Sequence, residues 1–278
     1  MKISVITVTF NALDSLRETL NSVAAQNHEN VEYIVVDGGS TDGTVEFLEA
    51  HSMTVTRFIS EPDRGIYDAM NKGISLATGD ILNFLNCGDV YYDNGVLKRI
   101  ASEFENNKSD IVCCDFIVNL NGRLYFRQAR PRFDKAYQRM PTNHQAMFYR
   151  RTIFHLKQYD TTYLLLADYD HILHIITKTN ASISIAPYPA VIYLLGGVSD
   201  VNRVRAHLEG FHISVKHYGW FKGVIGRGPR LFAVWLKKLL IDIFLLEKQS
   251  NTIRVFLYGR KNRLCSRLDC TKQSSRRP

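Results

Sequence analysis

The residues with the most chemical promise in this chain are carboxylates set in turns. Asp37 opens the run Asp37-Gly38-Gly39-Ser40-Thr41-Asp42-Gly43-Thr44. A carboxylate there can accept two hydrogen bonds from a nucleobase or ribose edge, while the glycines permit positive φ and close backbone approach. The same residues also suit a tight turn with Ser40 or Asp42 as a helix N-cap. Their spacing matches neither G-x-G-x-x-G nor a Walker loop, so dinucleotide and P-loop sites find no support. Asn86-Cys87-Gly88-Asp89 carries one more carboxylate, and Leu166-Ala167-Asp168-Tyr169-Asp170 carries two. On a helix, Asp168 and Asp170 stand roughly 200° apart, so both cannot face one substrate. His144, followed by Gln145, can hydrogen-bond a sugar or phosphate, or serve as a structural histidine. His171 and His174 form H-x-x-H with no further ligand motif, and Cys265 and Cys270 are too isolated for a zinc ribbon.

Such groups need a frame. Ile3–Phe10, Val31–Val36, Val55–Ile59 and Ile81–Leu85 are apolar runs of strand length, and helical spacing of apolar residues separates them. The β-α-β-α order predicts an α/β fold, a mostly parallel sheet flanked by helices and joined by right-handed crossovers. Ligands of such sheets bind beyond the carboxyl ends of the strands. Thr9 and Asn11 follow the first strand, the Asp37 turn the second, and Asn86–Asp89 the fourth. Farther on, Asn121-Gly122 between Asp110–Leu120 and Arg123–Arg127 signals a hairpin. Leu164–Thr177 reads as a helix, Ile183–Ala186 and Val191–Leu195 as short strands, and Gly196-Gly197-Val198-Ser199 as a loop able to close over a ligand. Leu231–Leu246 is too short and too charged to span a bilayer and suits a basic interfacial helix.

Four ordered blocks give this frame a family resemblance. They are Thr7-Val8-Thr9-Phe10-Asn11, the Val35–Thr44 run, Glu61-Pro62-Asp63-Arg64-Gly65-Ile66-Tyr67-Asp68-Ala69-Met70-Asn71-Lys72-Gly73, and Gly79-Asp80 through Asn86-Cys87-Gly88-Asp89. Together they resemble glycosyltransferase family 2, the inverting GT-A group, in the flavour of bacterial capsule, O-antigen and exopolysaccharide enzymes. The resemblance implies a nucleotide-sugar transferase domain over residues 1–200 with a basic, partly amphipathic helical extension over 201–278. It implies that Asp37 and Asp63 contact base and ribose beside Thr9 and Asn11. Asp89 then holds Mg²⁺ or Mn²⁺ on the diphosphate, Asp168 is the catalytic base, and His144 and Gln145 lie on the acceptor side. The chain departs from the family at Asn86 and Gly88, where acidic residues often occur, and at Ala167, where a Glu is usual. A single carboxylate on Mg²⁺ remains chemically sensible, because that ion takes few protein ligands beside phosphates and water. The same departures leave open a homologue that binds nucleotide without catalysis.

Charge adds a partner. The 278 residues are 45% hydrophobic and 22% charged, as in a soluble globular protein. Residues 1–200 hold 18 Lys/Arg against 23 Asp/Glu, or −5, and residues 201–278 hold 17 against 4, or +13. A basic tail on an acidic body predicts an anionic neighbour. The tail carries no nucleic-acid-binding motif, which favours a lipid surface, and the family resemblance implies a glycan or lipid-linked acceptor. Arg227, Arg230, Lys237 and Lys238 are the expected headgroup contacts, beside Phe232, Trp235, Leu236, Leu239, Leu240, Ile243 and Phe244. Five scattered cysteines and no signal-peptide pattern predict a cytoplasmic protein held peripherally on the inner face of the plasma membrane.

Overall fold

The computed structural model describes residues 1–130, 133–195 and 202–244. A single curled sheet dominates it. Strands β1 (Ile3–Thr9), β2 (Val31–Asp37), β3 (Arg57–Ser60) and β4 (Ile81–Phe84) form its parallel half, with helices α1 (Leu13–Ala24), α2 (Thr44–Ala50) and α3 (Ile66–Leu76) between them. Then follow β5 (Val90–Tyr91), α4 (Val96–Asn107), β6 (Ile111–Leu120), β7 (Arg123–Arg127), β8 (Met147–Arg150), α5 (Ile153–Leu156), α6 (Ala167–Lys178), β9 (Ile183–Leu194) and α7 (Arg203–Phe244). The strand order is β3-β2-β1-β4-β8-β6-β9-β5, with β7 paired to β6. The α/β architecture is as expected, but its second half is mixed: β8 runs antiparallel to both β4 and β6, while β9 is parallel to β6.

Alternation along the strands builds two cores. Ile6, Val8, Ile34, Val36 and Phe84 face α3 and α6, whereas Ile3, Val5, Tyr33, Val35 and Ile81 face α1, α2 and α4. Each side chain so buried contributes roughly 1.5–3 kcal/mol. The helix α3 lies close on β1 because Gly73 has no side chain: its Cβ would stand 2.5 Å from Ile6 Cγ2. The Asn121-Gly122 hairpin forms with both residues at positive φ, 51° and 79°, as a type I′ turn requires. The two short strands expected at 183–186 and 191–195 are one strand, β9, which stays paired through a register shift opposite Cys114–Phe116.

The C-terminal helix reverses at Gly219, where φ is 82° and ψ 165°. Its two arms pack antiparallel at glycines, since a Cβ on Gly223 would meet Val215 and one on Gly210 would meet Arg227. The first arm lies on α6 and contributes Ile213 to the core. The second presents an apolar stripe, with Trp220 at 69% and Phe221 at 77% exposure, continued by Ile225, Phe232, Trp235 and Leu236. Arg227 and Arg230 differ from expectation. They turn inward: Arg227 is only 8% exposed, and Arg230 Nη1 donates to the Gln138 carbonyl at 2.6 Å. The Gly196–Ser199 loop, Cys265, Cys270 and the side chains of Lys238, Leu239, Leu240, Ile243 and Phe244 lie outside the described residues. Among the described residues, no helix is long and apolar enough to cross a membrane.

Candidate active site

The tips of β1 and β2 are tied together. Asn11, at φ 46°, donates its backbone N–H to Ser40 Oγ at 2.7 Å and accepts from Thr41 N at 2.8 Å. Asn tolerates this left-handed backbone better than most residues. Asp37 is fully buried; Oδ2 accepts from the N–H groups of Gly39 and Ser40 and from Ser60 Oγ, and Oδ1 from Ser40 Oγ. Both oxygens therefore shape the turn, so the carboxylate does not stand out as an open edge. Asp63 is half-buried and closes over this turn. Its Oδ1 accepts from Gly65 N at 2.8 Å, and its Oδ2 lies 2.7 Å from where a Cβ on Gly38 would stand. A side chain at Gly38 would push that carboxylate aside. Thr9, at the end of β1, points its hydroxyl at Cys87 Sγ, 3.6 Å away. Burial pushes the Cys87 thiol up to about 11, so it stays protonated.

The tip of β4 carries Asp89, positioned by buried polar groups. Thr19 Oγ1 accepts from Gly88 N and donates to the Asp89 carbonyl, both at 2.9 Å. The Asp89 carboxylate accepts from Gln145 Nε2 at 2.8 Å and from Leu194 N at 2.9 Å. Asn83 on β4 donates to the carbonyls of Gln145 and Met147, each at 3.0 Å, and so fixes the short helical turn His144–Ala146. Two acceptors in this group, Asn86 Oδ1 and Gln145 Oε1, are buried with no hydrogen-bond partner. One carboxylate and two orphaned amide oxygens are hard donors of the kind Mg²⁺ and Mn²⁺ prefer. The residues present therefore fit such an ion, although no group of three His, Cys, Asp or Glu gathers among the described residues.

Asp168 sits in the first turn of α6, at 7% exposure. Tyr67 hydroxyl donates to its Oδ1 at 2.8 Å, and His144 Nδ1 lies 3.3 Å from Oδ2. Burial works against ionisation, but the His144 contact and the Tyr67 hydrogen bond outweigh it and hold the carboxyl below its usual range. His144 Nε2 faces Asn86 Nδ2 at 3.3 Å. The adjacent residues His144 and Gln145 thus join the Asp168 and Asp89 carboxylates. Asp170 faces elsewhere, as the helical spacing requires. It is fully buried against Lys157, Lys216 and His217, which hold its carboxyl far below the usual range despite burial. Glu209 of α7 accepts from the N–H groups of Leu164, Leu165 and Leu166, which lead into α6. His171 is stacked on Phe154 with both ring nitrogens unpartnered, and burial drives it down to about 3, so it is a neutral core residue.

Tyr67, Asn83, Thr19 and Glu209 hold the site yet carry no sequence signal as site residues. Tyr67 and Asn83 lie inside family-like blocks, and Glu209 is a rare acid in a basic stretch; these are the clues available. Tyr67 yields a prediction. Tyr67→Phe removes a donor to the ionised Asp168, so the Asp168 pKa should rise. The acid limb of a kcat/KM profile should then move to higher pH, while the rate at neutral pH, where Asp168 stays ionised, changes little. An unmoved limb would show that the Tyr67 contact is only structural.

Comparison with known proteins places this geometry. The profile of Glycosyl transferase family 2 matches residues 4–172, more than half of the chain. A PGL/p-HBAD biosynthesis glycosyltransferase of Mycobacterium bovis is 36% identical over 173 residues, covering 60% of this chain and 66% of the relative. The chain thus spans just under two thirds of that relative's length. Among solved structures, S. aureus TarS 1-349 in complex with UDP aligns at a TM-score of 0.63 with 20% identity, over 78% of this chain and 65% of that one. Mannosyltransferase PcManGT from Pyrobaculum calidifontis, in complex with GDP-Man and Mn2+, aligns at 0.60 with 17% identity, over 77% and 64%. These two likenesses carry the GT-A-like fold. With its blocks in order, its sheet of that type and the profile match across both, the chain belongs to glycosyltransferase family 2.

Proposed function

We propose that the chain transfers a sugar from a nucleoside-diphosphate donor to a hydroxyl of a glycan or lipid-linked acceptor, inverting the anomeric carbon, in bacterial surface-polysaccharide assembly. The observation that carries this reading is the continuous arrangement Asp168–His144–Gln145–Asp89, which would set a base beside a diphosphate site. The solved relatives named above hold UDP or GDP-Man with Mn2+, which supports a donor of that class.

Thr9, Asn11 and Asp63 would line the nucleoside, and Asp37 would act through the turn it shapes. Asp89, with Asn86 and Gln145, would hold Mg²⁺ or Mn²⁺. The ion, when bound, supplies positive charge against the leaving diphosphate. Asp168, kept ionised, accepts the acceptor hydroxyl's proton at a carboxylate oxygen as that hydroxyl attacks the anomeric carbon. His144 and Tyr67 hold the carboxylate's angle and keep it free of a proton until then. Bond making and bond breaking in one displacement invert the centre, and no enzyme nucleophile is required. A glycosidase would instead need a second carboxylate working on water. The test is donor cleavage across UDP-, GDP- and dTDP-sugars, read by mass spectrometry; silence with all of them would sink the reading.

The setting would be the cytoplasmic face of a membrane. The exposed Trp220, Phe221, Ile225, Phe232, Trp235 and Leu236 stripe supports this, as does the +13 of residues 201–278. Aromatic side chains on an amphipathic arm suit the headgroup boundary, and each nearby basic residue adds on the order of 1 kcal/mol. The full chain should pellet with phosphatidylglycerol vesicles and be released by salt. Trp220→Ser/Phe221→Ser should at least halve the pelleted fraction; unchanged pelleting would remove this arm from membrane contact.

A further inference from the structure

The two arginines that turn inward from the lipid-facing stripe leave a charge problem. Arg227 is only 8% exposed, its guanidinium carbon lies 4.2 Å over the Tyr169 ring, and its Nε is buried with no hydrogen-bond partner. It fits there because Gly210 has no side chain; a Cβ at that glycine would stand 2.7 Å from Arg227 Nη1. Arg230 is half-buried beside it, and Arg130 and Arg203 are exposed. Among the described residues, no carboxylate lies within 4 Å of Arg130, Arg203, Arg227 or Arg230. Partial desolvation of its inner part and the charges of Arg127 and Arg230 lower the pKa of Arg130, burial and Arg227 lower that of Arg230, and burial drives His207 down to about 4. A buried cation is costly unless an anion or hydrogen bonds satisfy it. The Tyr169 ring offsets only part of that cost.

The cluster also stands beside the chemistry. Tyr169 follows Asp168 in sequence, and its hydroxyl donates to the Ala136 carbonyl at 2.7 Å. Arg130 N donates to the Pro141 carbonyl at 2.8 Å, three residues before His144. The arginines come from the segment after β7 and from α7, neither of which supplies a donor-side residue. We propose that Arg130, Arg227 and Arg230 form a binding site for the phosphate or diphosphate of a phosphate-linked acceptor. This rests on the transferase reading and names the acceptor class for that site. Guanidinium forks match phosphate oxygens in pairs, and the cluster grades from an exposed to a buried cation. A sugar joined to such a phosphate would then lie toward Asp168.

Calorimetry on the full chain, with chelator present, tests this directly. The probes are geranyl diphosphate, inorganic pyrophosphate and uncharged geraniol. Geranyl diphosphate should bind, geraniol should not, and Arg130→Gln/Arg230→Gln should weaken binding at least tenfold, since charge-assisted bonds are lost. The exposed Arg130→Gln alone should weaken it by a few-fold, which guards against a folding failure of the double variant. Affinities within twofold between wild type and both variants would overturn the proposal. Geranyl diphosphate binding no tighter than pyrophosphate would reduce the site to one for free phosphates and overturn the acceptor assignment. Nucleotide-sugar cleavage by the wild type, measured separately, tests the transferase reading. Its failure with arginine-dependent binding intact would remove that reading and leave the anion site.

Discussion

Sugar transfer should fall by at least about 10³-fold when Asp89 becomes alanine, the upper range for losing one preorganised electrostatic group. The carboxylate is the one acidic group at the β4 tip, and it also anchors Gln145 Nε2 and Leu194 N. Chelator should silence the wild type to the same degree, and Mg²⁺ or Mn²⁺ should restore it. Because alanine also leaves the buried Gln145 Nε2 and the part-buried Leu194 N–H without this acceptor, some stability should be lost, of order 1–3 kcal/mol. Asp89→Asn keeps the shape and removes the charge, so it separates the two effects: activity should stay lost while the melting temperature moves less. Nucleoside diphosphate release is the measurement. Transfer that survives both Asp89→Asn and chelator would place the metal elsewhere or nowhere.

Asp168→Asn should lower transfer by about 10²–10⁴, the usual range for general acid–base groups. The amide keeps the size of the side chain but cannot take the acceptor's proton. Donor affinity should change little, since Asp168 lies on α6 and the proposed donor-side residues lie on the tips of β1 and β2 and after β3. Asp170→Asn is the matched control. Its carboxylate is buried against Lys157, Lys216 and His217, so its loss should destabilise by about 3 kcal/mol, as when one partner of a buried pair is removed. Turnover per folded molecule should persist. A rate loss at Asp170→Asn with Asp168→Asn still active would exchange the two roles.

Much of the parallel half was legible because strand length, period and turn residues agree there. Ile3–Phe10 and Val31–Val36 read as strands from their β-branched runs, and the Asp37 turn marks the strand end where ligands gather. The second half was less legible. Met147–Arg150 is four residues long, and its place between β4 and β6 is set by tertiary pairing. The reversal at Gly219 was also invisible. A lone glycine within a helical pattern signals only weakened helix, and the turn depends on Gly210 and Gly223 letting two arms touch. Within the site, Asp168 and Asp89 came from motif position. Their link through His144 and Gln145 could not, because it joins α6, β4 and a short turn that are far apart in sequence. The inward arginines were misplaced for a related reason: helix amphipathicity fixes which residues share a face, but packing decides which face meets the protein.

The most direct test of the central claim is the stereochemistry of donor cleavage. The purified full chain, with Mg²⁺ or Mn²⁺ and an α-linked nucleoside-diphosphate sugar that the screen identifies, is followed by proton NMR in the first minutes. Water then stands in for the acceptor hydroxyl at Asp168. A single displacement predicts the β-anomer as the first sugar released, with Asp168→Asn slowing its appearance by the factor given above. First release of the α-anomer, or an Asp168→Asn rate equal to wild type, would contradict the account.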